Sequence, residues 1–488
     1  MFVNRMPRYE ILSPDAVDVL ERGWKRIVTE IGIDFVHDEA VELFRRSGQK
    51  IDGTVVHLDP DFVLETIKTV PPVFDLRARN QARTARIGGD HMAFTAVSGP
   101  PFFRAGDVRR EGTFDDLQQV VKLVQHFDAL DLPGTPSVEP NDLPLDSRHL
   151  DMTYLYATMT DKAFFGSALS EVNALDCIEM ARILHRGLPL HDPAPADGGP
   201  PVTSMLSVVN VNSPLRYDTR MLEALLTYAK AGQASVVTPF LLMGAMAPVS
   251  VPSAIAQQTA EALAGVVLTQ LVNPGCPVIF GSFLSTIDMQ SGSPAFGGPE
   301  SAKGLFASGQ LARHYGLPWR AGGGSLTASQ TCDAQAAYEG FNTMLSSFLA
   351  GPNLMMQSAG WLESGLVACL EKFIVDVEFL HTLQEQFTPL EIDEASLAFE
   401  AHDEVKHGGH FLGAAHTMER FRTCFYRPFL SSTENYERWV RKGARDTTAR
   451  AGEQWREALE KYEQPLLDES IREELAEYVT RRRHELGD

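Results

Sequence analysis

The side chains best suited to chemistry stand at, or directly after, the ends of short apolar runs in the sequence. They are aromatic, amide or acidic residues: Phe102, Phe103, Asn210, Asn212, Phe240, Phe283, Asp288, Gln330, Trp361 and Glu363. The face of an aromatic ring attracts a quaternary ammonium group, and a carboxylate adds a full negative charge. Together these residue types favour a site for a soft organic cation, although each aromatic taken singly is more simply explained by core packing.

The usual signatures of acid–base or nucleophilic enzymes do not occur in the sequence. It contains no GxSxG, no HExxH and no phosphate-binding P-loop. No histidine falls among the positions after the apolar runs, and general-base or acyl-transfer catalysis usually needs one. The segment HDEVKHGGHFLGAAH holds His402, His407, His410 and His416. Because their spacing matches no standard zinc motif, we expect a structural or surface role for them and no metal site.

The apolar runs themselves recur eight times along the middle of the chain. They span residues 92–97, 129–134, 163–168, 202–209, 235–241, 277–283, 318–323 and 354–359. Most lack polar alternation, which is typical of parallel strands buried on both faces. Segments with a 3.6-residue apolar period lie between them, such as Leu117, Val120, Val121 and Val124.

Eight strand–helix pairs predict an α/β protein with a closed (β/α)8 (TIM) barrel. In such a barrel functional residues lie at the C-terminal ends of the strands. The alternative is an open doubly wound sheet, but no GxGxxG follows the first run. We expect an N-terminal α+β cap at residues 1–90, the barrel at 91–385 and a C-terminal helical extension at 386–488. A Pro/Gly-rich loop is expected at residues 192–201.

Composition narrows the possible partners and compartment. A net charge of −21 disfavours binding to nucleic acid or to an anionic membrane. The five cysteines are scattered and form no CxxC, so disulfides are not expected and a reducing compartment fits. Because there is no apolar leader and no long apolar run, we expect a cytoplasmic protein. Apolar helix faces outside the barrel are compatible with a homo-oligomer.

Four long segments carry a family resemblance. They are PFLLMGAMAPVSVPSAIAQQTAEALAGVVLTQLVNPGCPVIFGSFLSTIDMQSGSPAFGGPE, GGGSLTASQTCDAQAAYEG, SAGWLESGLVACLEKFIVDVEFL, and HGGHFLGAAHTMERFR followed by YRPFL. These segments resemble the trimethylamine methyltransferase family, and the likeness runs from near Glu10 to the end. The resemblance implies a (β/α)8 barrel that moves a methyl group from a methylated amine to the Co(I) form of a corrinoid. It also implies that a separate small protein carries the corrinoid and docks at the barrel mouth, so no tightly bound cofactor is expected.

Family members that act on trimethylamine carry pyrrolysine after the seventh strand, and the resemblance places Gln330 there. It therefore implies the branch without pyrrolysine, which acts on quaternary amines such as glycine betaine. We expect Gln330 to contact a carboxylate or carbonyl of the substrate, and Glu363 and Asp288 to supply a counter-charge. Simpler roles remain open, since Gln330 neighbours a helix cap and Glu363 can stabilise the positive end of the following helix.

The remaining candidates have expected roles in the same site. Cage aromatics are expected at Phe102, Phe103, Phe240, Phe283 and Trp361, and Asn210 and Asn212 are expected to orient a carboxylate. Since Co(I) is a strong nucleophile and the leaving group is a neutral amine, the protein only has to hold the cation in line and exclude water. Two alternatives stay open. One is a corrinoid-independent barrel lyase or hydrolase that uses Glu363 or Asp288 as base. The other is a non-catalytic barrel that binds quaternary amines.

Overall fold

The parallel sheet at the centre of the protein curls into a barrel. The computed structural model describes residues 1–188, residue 190 and residues 202–487, so the expected loop at 192–201 lies outside the described residues. Seven parallel strands follow the predicted runs: His91–Phe94, Phe164–Phe165, Met205–Val211, Ala234–Pro239, Val278–Ser282, Trp319–Ala321 and Leu354–Met355. The last pairs with the first, with Leu354 opposite Ala93. The predicted (β/α)8 barrel is therefore confirmed.

The second barrel position departs from the prediction of a strand at residues 129–134. It makes a single parallel bridge, between Thr95 and Leu132. Two local features shorten it. The Asp131 side chain accepts a hydrogen bond from the Phe94 backbone N–H at 3.0 Å, and Pro133 has no N–H to donate to a ladder. The apolar pattern predicts a strand here, but these two residues allow only a bridge.

A helix follows each barrel position. The eight are Phe114–His126, Arg148–Met159, Glu171–Leu184, Thr219–Lys230, Val251–Val272, Pro299–His314, Ala334–Ala350 and Leu370–Gln386. Thr113 caps the first, through reciprocal hydrogen bonds with Asp116 that form a capping box. The fifth helix is apolar nearly all round and is almost wholly buried, because N-terminal elements cover its outer side.

Helices and short strands precede the barrel. They are Pro14–Arg26, a π-helical turn at Ile27–Ile31, Ile33–Phe35, Asp38–Arg46, Lys50–Asp52, Val55–His57 and Pro60–Ile67. Trp24, Phe35 and Phe44 are fully buried in one core with barrel helix residues such as Leu263 and Val267. The N-terminal part is therefore a layer packed against one flank of the barrel.

A hairpin closes the bottom of the barrel. Its strands, Val73–Leu76 and Ala85–Gly88, are antiparallel and continue into the first barrel strand. Leu76 and Ile87 share a buried cluster with Val236 from the fifth barrel strand. The pairing of Gly88 with His91 crosses residue 90, where the sequence places the boundary between the N-terminal cap and the barrel. That domain boundary stays a prediction. With the bottom plugged, open space remains at the C-terminal ends of the strands.

Short strands build the loops around the opposite end. They are Phe102–Ala105, Val108–Glu111, Arg216–Tyr217, Leu241–Met243, Leu284–Ile287, Pro294–Ala295, Trp361–Leu362 and Val367–Cys369, while Phe2–Val3 pairs with the first barrel strand. These hairpins give the mouth of the barrel a fixed rim.

Helices follow the barrel to the C-terminus, as expected for the extension. They are Phe399–Val405, Ala415–Arg420, Tyr436–Arg441, Thr447–Glu460 and Glu469–Leu486. Thr447–Glu460 packs on Leu370–Gln386, and Glu469–Leu486 packs on the second and third barrel helices. Within the described part of the chain, every helix is too short or too polar for a transmembrane span.

A buried carboxylate fastens the last helix to the barrel. Asp176 accepts hydrogen bonds from Tyr478 Oη at 2.7 Å and Arg482 Nε at 2.7 Å, and His149 Nε2 lies 2.9 Å from it. Burial by itself would raise the pKa of Asp176, but the hydrogen bonds outweigh burial and lower the pKa to about 2. The ionised form is therefore stabilised by folding.

Replacing this carboxylate, in Asp176→Asn, is expected to lower the free energy of unfolding by about 2 kcal/mol at pH 7, from the size of the pKa shift. Because the folded pKa lies below the unfolded one, the stabilisation is complete above about pH 5 and is lost as the pH falls through about 2. Urea unfolding at pH 7 and at pH 3 measures it. The control is Glu474→Gln. Glu474 lies on the same last helix and forms an exposed ion pair with Arg186, so its replacement should cost under about 0.5 kcal/mol. An equal loss for Asp176→Asn at both pH values would contradict this account.

Candidate active site

A cavity of about 500 Å³ opens at the C-terminal ends of the barrel strands. Strands three to eight and their loops contribute its wall through Gly166, Ser167, Asn210, Thr238, Phe240, Phe283, Phe296, Arg320, Gln357 and Trp361. The loops after the second position contribute Glu139, Arg148 and His149. The location is the one where (β/α)8 barrels carry function, and the volume suits a small organic molecule.

Four aromatic rings form a continuous wall on one side of the cavity. Phe240 stacks on Phe283 with ring centroids 4.5 Å apart, and Phe296 lies 5.2 Å from Phe283. The Trp361 ring lies 6.0 Å from Phe296. The sequence predicted Phe240, Phe283 and Trp361, and the structure brings these three together. Since π faces attract an organic cation, the wall can hold one at the cavity.

Phe296 was missed because it lies in the glycine-rich segment SGSPAFGGPE, beyond any apolar run. The available signal was an aromatic side chain in a loop that follows a barrel strand. It lies directly after the short strand Pro294–Ala295, which pairs with Leu284–Ile287 and so folds the loop back towards the barrel. Phe296 is 3% exposed. The hairpin therefore places the Phe296 ring at the cavity, and the pattern of apolar strands does not predict this position.

Glycines make room for the aromatic wall. A Cβ at Gly322 would lie 2.3 Å from a ring carbon of Phe283. A Cβ at Gly365 would lie 3.0 Å from the Trp361 ring, and Gly365 also has a φ of +93°. A carbon–carbon contact as short as that at Gly322 is not tolerated, so this position requires glycine, and the positive φ of Gly365 favours glycine there.

The loop that carries Trp361 has an unusual backbone. Glu363 and Ser364 have positive φ values of 50° and 52°, which side-chain-bearing residues rarely adopt. Hydrogen bonds hold them there: the Ser364 hydroxyl donates to Pro294 O at 2.6 Å, and the Glu363 N–H donates to Ser329 O at 2.8 Å. The loop after the eighth strand is thus tied to the loops after the sixth and seventh. Such strain is commonly found where a site needs a fixed geometry.

A buried arginine lines the cavity below the aromatic wall. Arg320 is 3% exposed and donates from Nη1 to Thr238 Oγ1 and Ser282 O, at 3.0 and 3.1 Å, and from Nη2 to Gln357 Oε1 at 3.0 Å. Its buried Nε has no hydrogen-bond partner. Burial lowers the pKa of Arg320 to about 9, so the guanidinium stays charged at neutral pH. Across the described residues, no carboxylate forms an ion pair with it.

Arg320 was also missed, although the sequence carries a signal for it. It stands in the run PWRAGG, which is otherwise apolar or small, at a position predicted to be a buried strand. A lone cation in a buried strand needs a reason, because burying an unpaired charge is costly.

Among the other predicted residues, Asn210 lines the cavity with an exposed side chain. Asn212, Asp288 and Gln330 are also exposed but do not line it. Asn212 bonds to Asp218 Oδ2 at 3.0 Å, and Gln330 donates to Ala328 O at 3.1 Å. Asp288 accepts from the backbone of Gln290 at 2.9 Å within its own turn. The roles predicted for these three residues stay predictions.

Phe102, Phe103 and Glu363 lie beside the cavity, where a hairpin folds over the loop after the eighth strand. The Arg109 guanidinium stacks 3.8 Å above the Phe102 ring and pairs with Glu363 at 3.0 Å. Phe103 is buried, and the Arg110 guanidinium lies 5.2 Å from the centroid of its ring. Glu363 therefore already has a cation as partner, and none of these three lines the cavity.

The cavity wall offers little acid–base chemistry. Among its described lining residues the one carboxylate is Glu139, which pairs with Arg148 at 2.8 Å, and burial raises its pKa. The one histidine is His149, which is bonded to Asp176. Within the described residues, no three His, Cys, Asp or Glu side chains are grouped so that they could hold a metal ion. The arrangement suits binding and orientation better than proton transfer or nucleophilic attack.

Comparisons with known proteins agree with this geometry. The model of the family described as trimethylamine methyltransferase (MTTB) matches residues 1–487. The glycine betaine methyltransferase of Desulfitobacterium hafniense (strain Y51) is 38% identical over 484 residues, which cover 99% of each chain. The proline betaine:corrinoid methyltransferase of Eubacterium limosum is 27% identical over 419 residues, 84% of each chain.

A solved structure with a similar fold is the monomethylamine methyltransferase of Methanosarcina barkeri. It aligns with a TM-score of 0.53 at 10% identity and covers 94% of this chain and 90% of that one. At this level of identity the likeness supports the barrel fold alone.

Proposed function

Because the chain belongs to the trimethylamine methyltransferase (MTTB) family, we propose that it moves a methyl group from a betaine-type quaternary amine to the Co(I) corrinoid of a separate partner protein. The observation that carries this proposal is the aromatic wall of Phe240, Phe283, Phe296 and Trp361, in a cavity whose described lining has no unpaired carboxylate or histidine. The similarity to enzymes that act on glycine betaine and proline betaine supports the substrate class.

The residues of this chain bind and orient the substrate. The quaternary nitrogen rests against the aromatic wall, which leaves one N-methyl group pointing out of the mouth. The corrinoid supplies the nucleophile that accepts the methyl group. The leaving group is a neutral tertiary amine and needs no proton, so the lack of a free acid at the cavity is consistent with the chemistry. The buried wall excludes water from the cation.

The partner protein docks at the rim of the barrel in this proposal. Leu145, Leu169 and Leu366 line the cavity and are 65%, 46% and 48% exposed. Val249 and Met289, in the loops after the fifth and sixth strands, are 75% and 70% exposed. Apolar side chains exposed at several loops around one opening are typical of an interaction surface, and the opening leaves the cavity accessible to a bulky cofactor.

A homo-oligomer is a further part of the proposal. The segment between residues 388 and 426 exposes many large apolar side chains, among them Leu390, Ile392, Phe399, Leu412 and Phe425. Exposed apolar residues at this density favour burial against a second copy. We place the protein in the cytoplasm because all five cysteines, which lie within the described residues, are free thiols.

The direct test is a methyl-transfer assay. We expect the purified protein to convert a cognate corrinoid protein from Co(I) to methyl-Co(III) with glycine betaine or a related betaine as donor. The absorbance change of the corrinoid reports it. No change with a panel of betaines, choline and trimethylamine would contradict the proposal.

The same preparation separates the two other hypotheses. Tight binding of a betaine by calorimetry, with no transfer to any corrinoid protein, would favour a non-catalytic binding protein. Turnover without cobalt would favour a lyase or hydrolase. That last hypothesis needs a base at the substrate, and its two candidates do not line the cavity: Glu363 pairs with Arg109, and Asp288 is exposed in a turn.

A further inference from the structure

No carboxylate in the described part of the chain balances the charge of Arg320. Of its five N–H groups, three donate to Thr238, Ser282 and Gln357, which are all neutral acceptors. The Nε–H and one hydrogen on Nη2 remain. Buried arginines normally pair with a carboxylate, because desolvating an unpaired charge costs several kcal/mol. The cavity beside Arg320 is the remaining place from which a counter-charge can come.

We infer that Arg320 is the anchor for the carboxylate of the substrate, and that it selects quaternary amines that carry a carboxylate over those that do not. The inference rests on the proposed function and adds the residue that decides which quaternary amines are accepted. A carboxylate can accept two parallel N–H groups of a guanidinium, which fixes its orientation as well as its position. Gln357 is 5% exposed, follows the neighbouring eighth strand, and holds the guanidinium through its side-chain oxygen.

Arg320 lies deeper in the cavity than the aromatic wall, and this order of the two groups fits a zwitterion. Thr238, which contacts Arg320, lies in the strand Ala234–Pro239, and Phe240, which belongs to the aromatic wall, follows directly after that strand; both line the cavity. Two residues of extended chain span roughly 6–7 Å, so Phe240 lies about that much farther along the strand direction, towards the mouth. A substrate carboxylate at Arg320 places the quaternary nitrogen one layer higher, beside the rings. The N-methyl groups then face the mouth.

The same arrangement disfavours cations without a carboxylate. Choline or tetramethylammonium would bring a second positive charge close to Arg320, with no anion to offset either. The repulsion acts in a buried cavity where screening by water is weak. The aromatic wall alone would not distinguish these cations from a betaine, so the discrimination falls to Arg320.

The test is calorimetry on the full chain with glycine betaine and tetramethylammonium as probes. We expect Arg320→Met to weaken glycine betaine binding by about 100-fold, as is typical when a buried charge pair loses one partner. Binding of tetramethylammonium should be unchanged or tighter. Arg320→Lys keeps the positive charge but loses the two parallel N–H groups of the guanidinium. Its affinity for glycine betaine should lie between those of the wild type and Arg320→Met. Arg313→Met, at the opposite end of the barrel, is the matched control and should bind as the wild type does.

A second measurement uses the wild type alone. If the site by Arg320 holds a carboxylate, added acetate should strengthen tetramethylammonium binding, and this linkage should vanish in Arg320→Met. Thermal melting guards against misfolding, because removal of an unpaired buried charge should leave the midpoint equal or higher. If Arg320→Met melts lower, the comparison rests on Arg320→Lys and on the acetate effect.

The outcomes separate this inference from the proposed function. Equal binding of glycine betaine by the wild type, Arg320→Met and Arg320→Lys would overturn the anchor, even if methyl transfer occurs. Loss of binding in Arg320→Met together with no methyl transfer by the wild type would support the anchor and refute the enzymatic proposal. No acetate effect in the wild type would also count against the anchor.

Discussion

Methyl transfer is expected to fall by about 30- to 100-fold in kcat/KM when Trp361 is replaced by Leu. Tryptophan gives the strongest cation–π attraction, worth about 2 kcal/mol or more at a desolvated site, and each 1.4 kcal/mol is about tenfold in rate. Trp361 is 7% exposed and packs 6.0 Å from Phe296, so its loss also opens a gap in the wall. The corrinoid absorbance assay with a betaine donor measures the effect.

Two further variants show whether the ring itself is responsible. Trp361→Phe keeps a π face and should lose far less activity than Trp361→Leu. Trp439→Leu removes a tryptophan of the C-terminal extension, whose indole N–H bonds to Arg445 O, and should leave kcat/KM unchanged. Equal loss in Trp361→Phe and Trp361→Leu would mean that shape matters and cation attraction does not.

The barrel could be predicted from the sequence because its strands are short, apolar and regularly spaced. Buried parallel strands lack polar alternation, and this pattern located the seven parallel barrel strands among the described residues. The pattern failed at residues 129–134, where an apolar run includes Pro133 and Asp131. Local hydrogen-bonding chemistry decided there whether a ladder could form, and apolar composition does not report it.

The site was predicted in part, and the division has a physical reason. Phe240, Phe283 and Asn210 stand at strand ends, and the barrel geometry brings such residues to one mouth. Gln330 and Asp288 lie farther along their loops. The path of a loop depends on long-range contacts such as the bond from Ser364 to Pro294 O, which no local pattern encodes.

Arg320 illustrates a different limit. It belongs to a predicted strand, but the choice between the inside and the outside of the barrel depends on register. In the sheet Arg320 lies opposite Gly281, where a Cβ would meet Thr238 at 2.5 Å. The missing side chain leaves space inside the barrel for a large neighbour. Register of this kind follows from the assembled sheet and not from the strand alone.

The largest stability loss is expected from a charge removed beneath the Trp361 loop, in Lys372→Met. Lys372 and Asp376 are fully buried and form an ion pair, and Lys372 Nζ also donates to Ser325 Oγ at 2.6 Å. Removing the cation leaves Asp376 unpaired in the core, which typically costs about 3–5 kcal/mol. Urea unfolding at neutral pH measures the loss.

The double variant Lys372→Met/Asp376→Leu separates two roles of this buried pair. Since it removes both charges, it should recover most of the stability. It should not recover activity, because the other oxygen of Asp376 accepts the Gly360 N–H at 2.8 Å, directly before Trp361. A double variant as unstable as the single one would show that volume, and not charge, governs this part of the core. A stable double variant with wild-type kcat/KM would show that the hydrogen bond from Gly360 does not position Trp361. A stable double variant with a lower kcat/KM would show that the buried pair helps to place the aromatic wall.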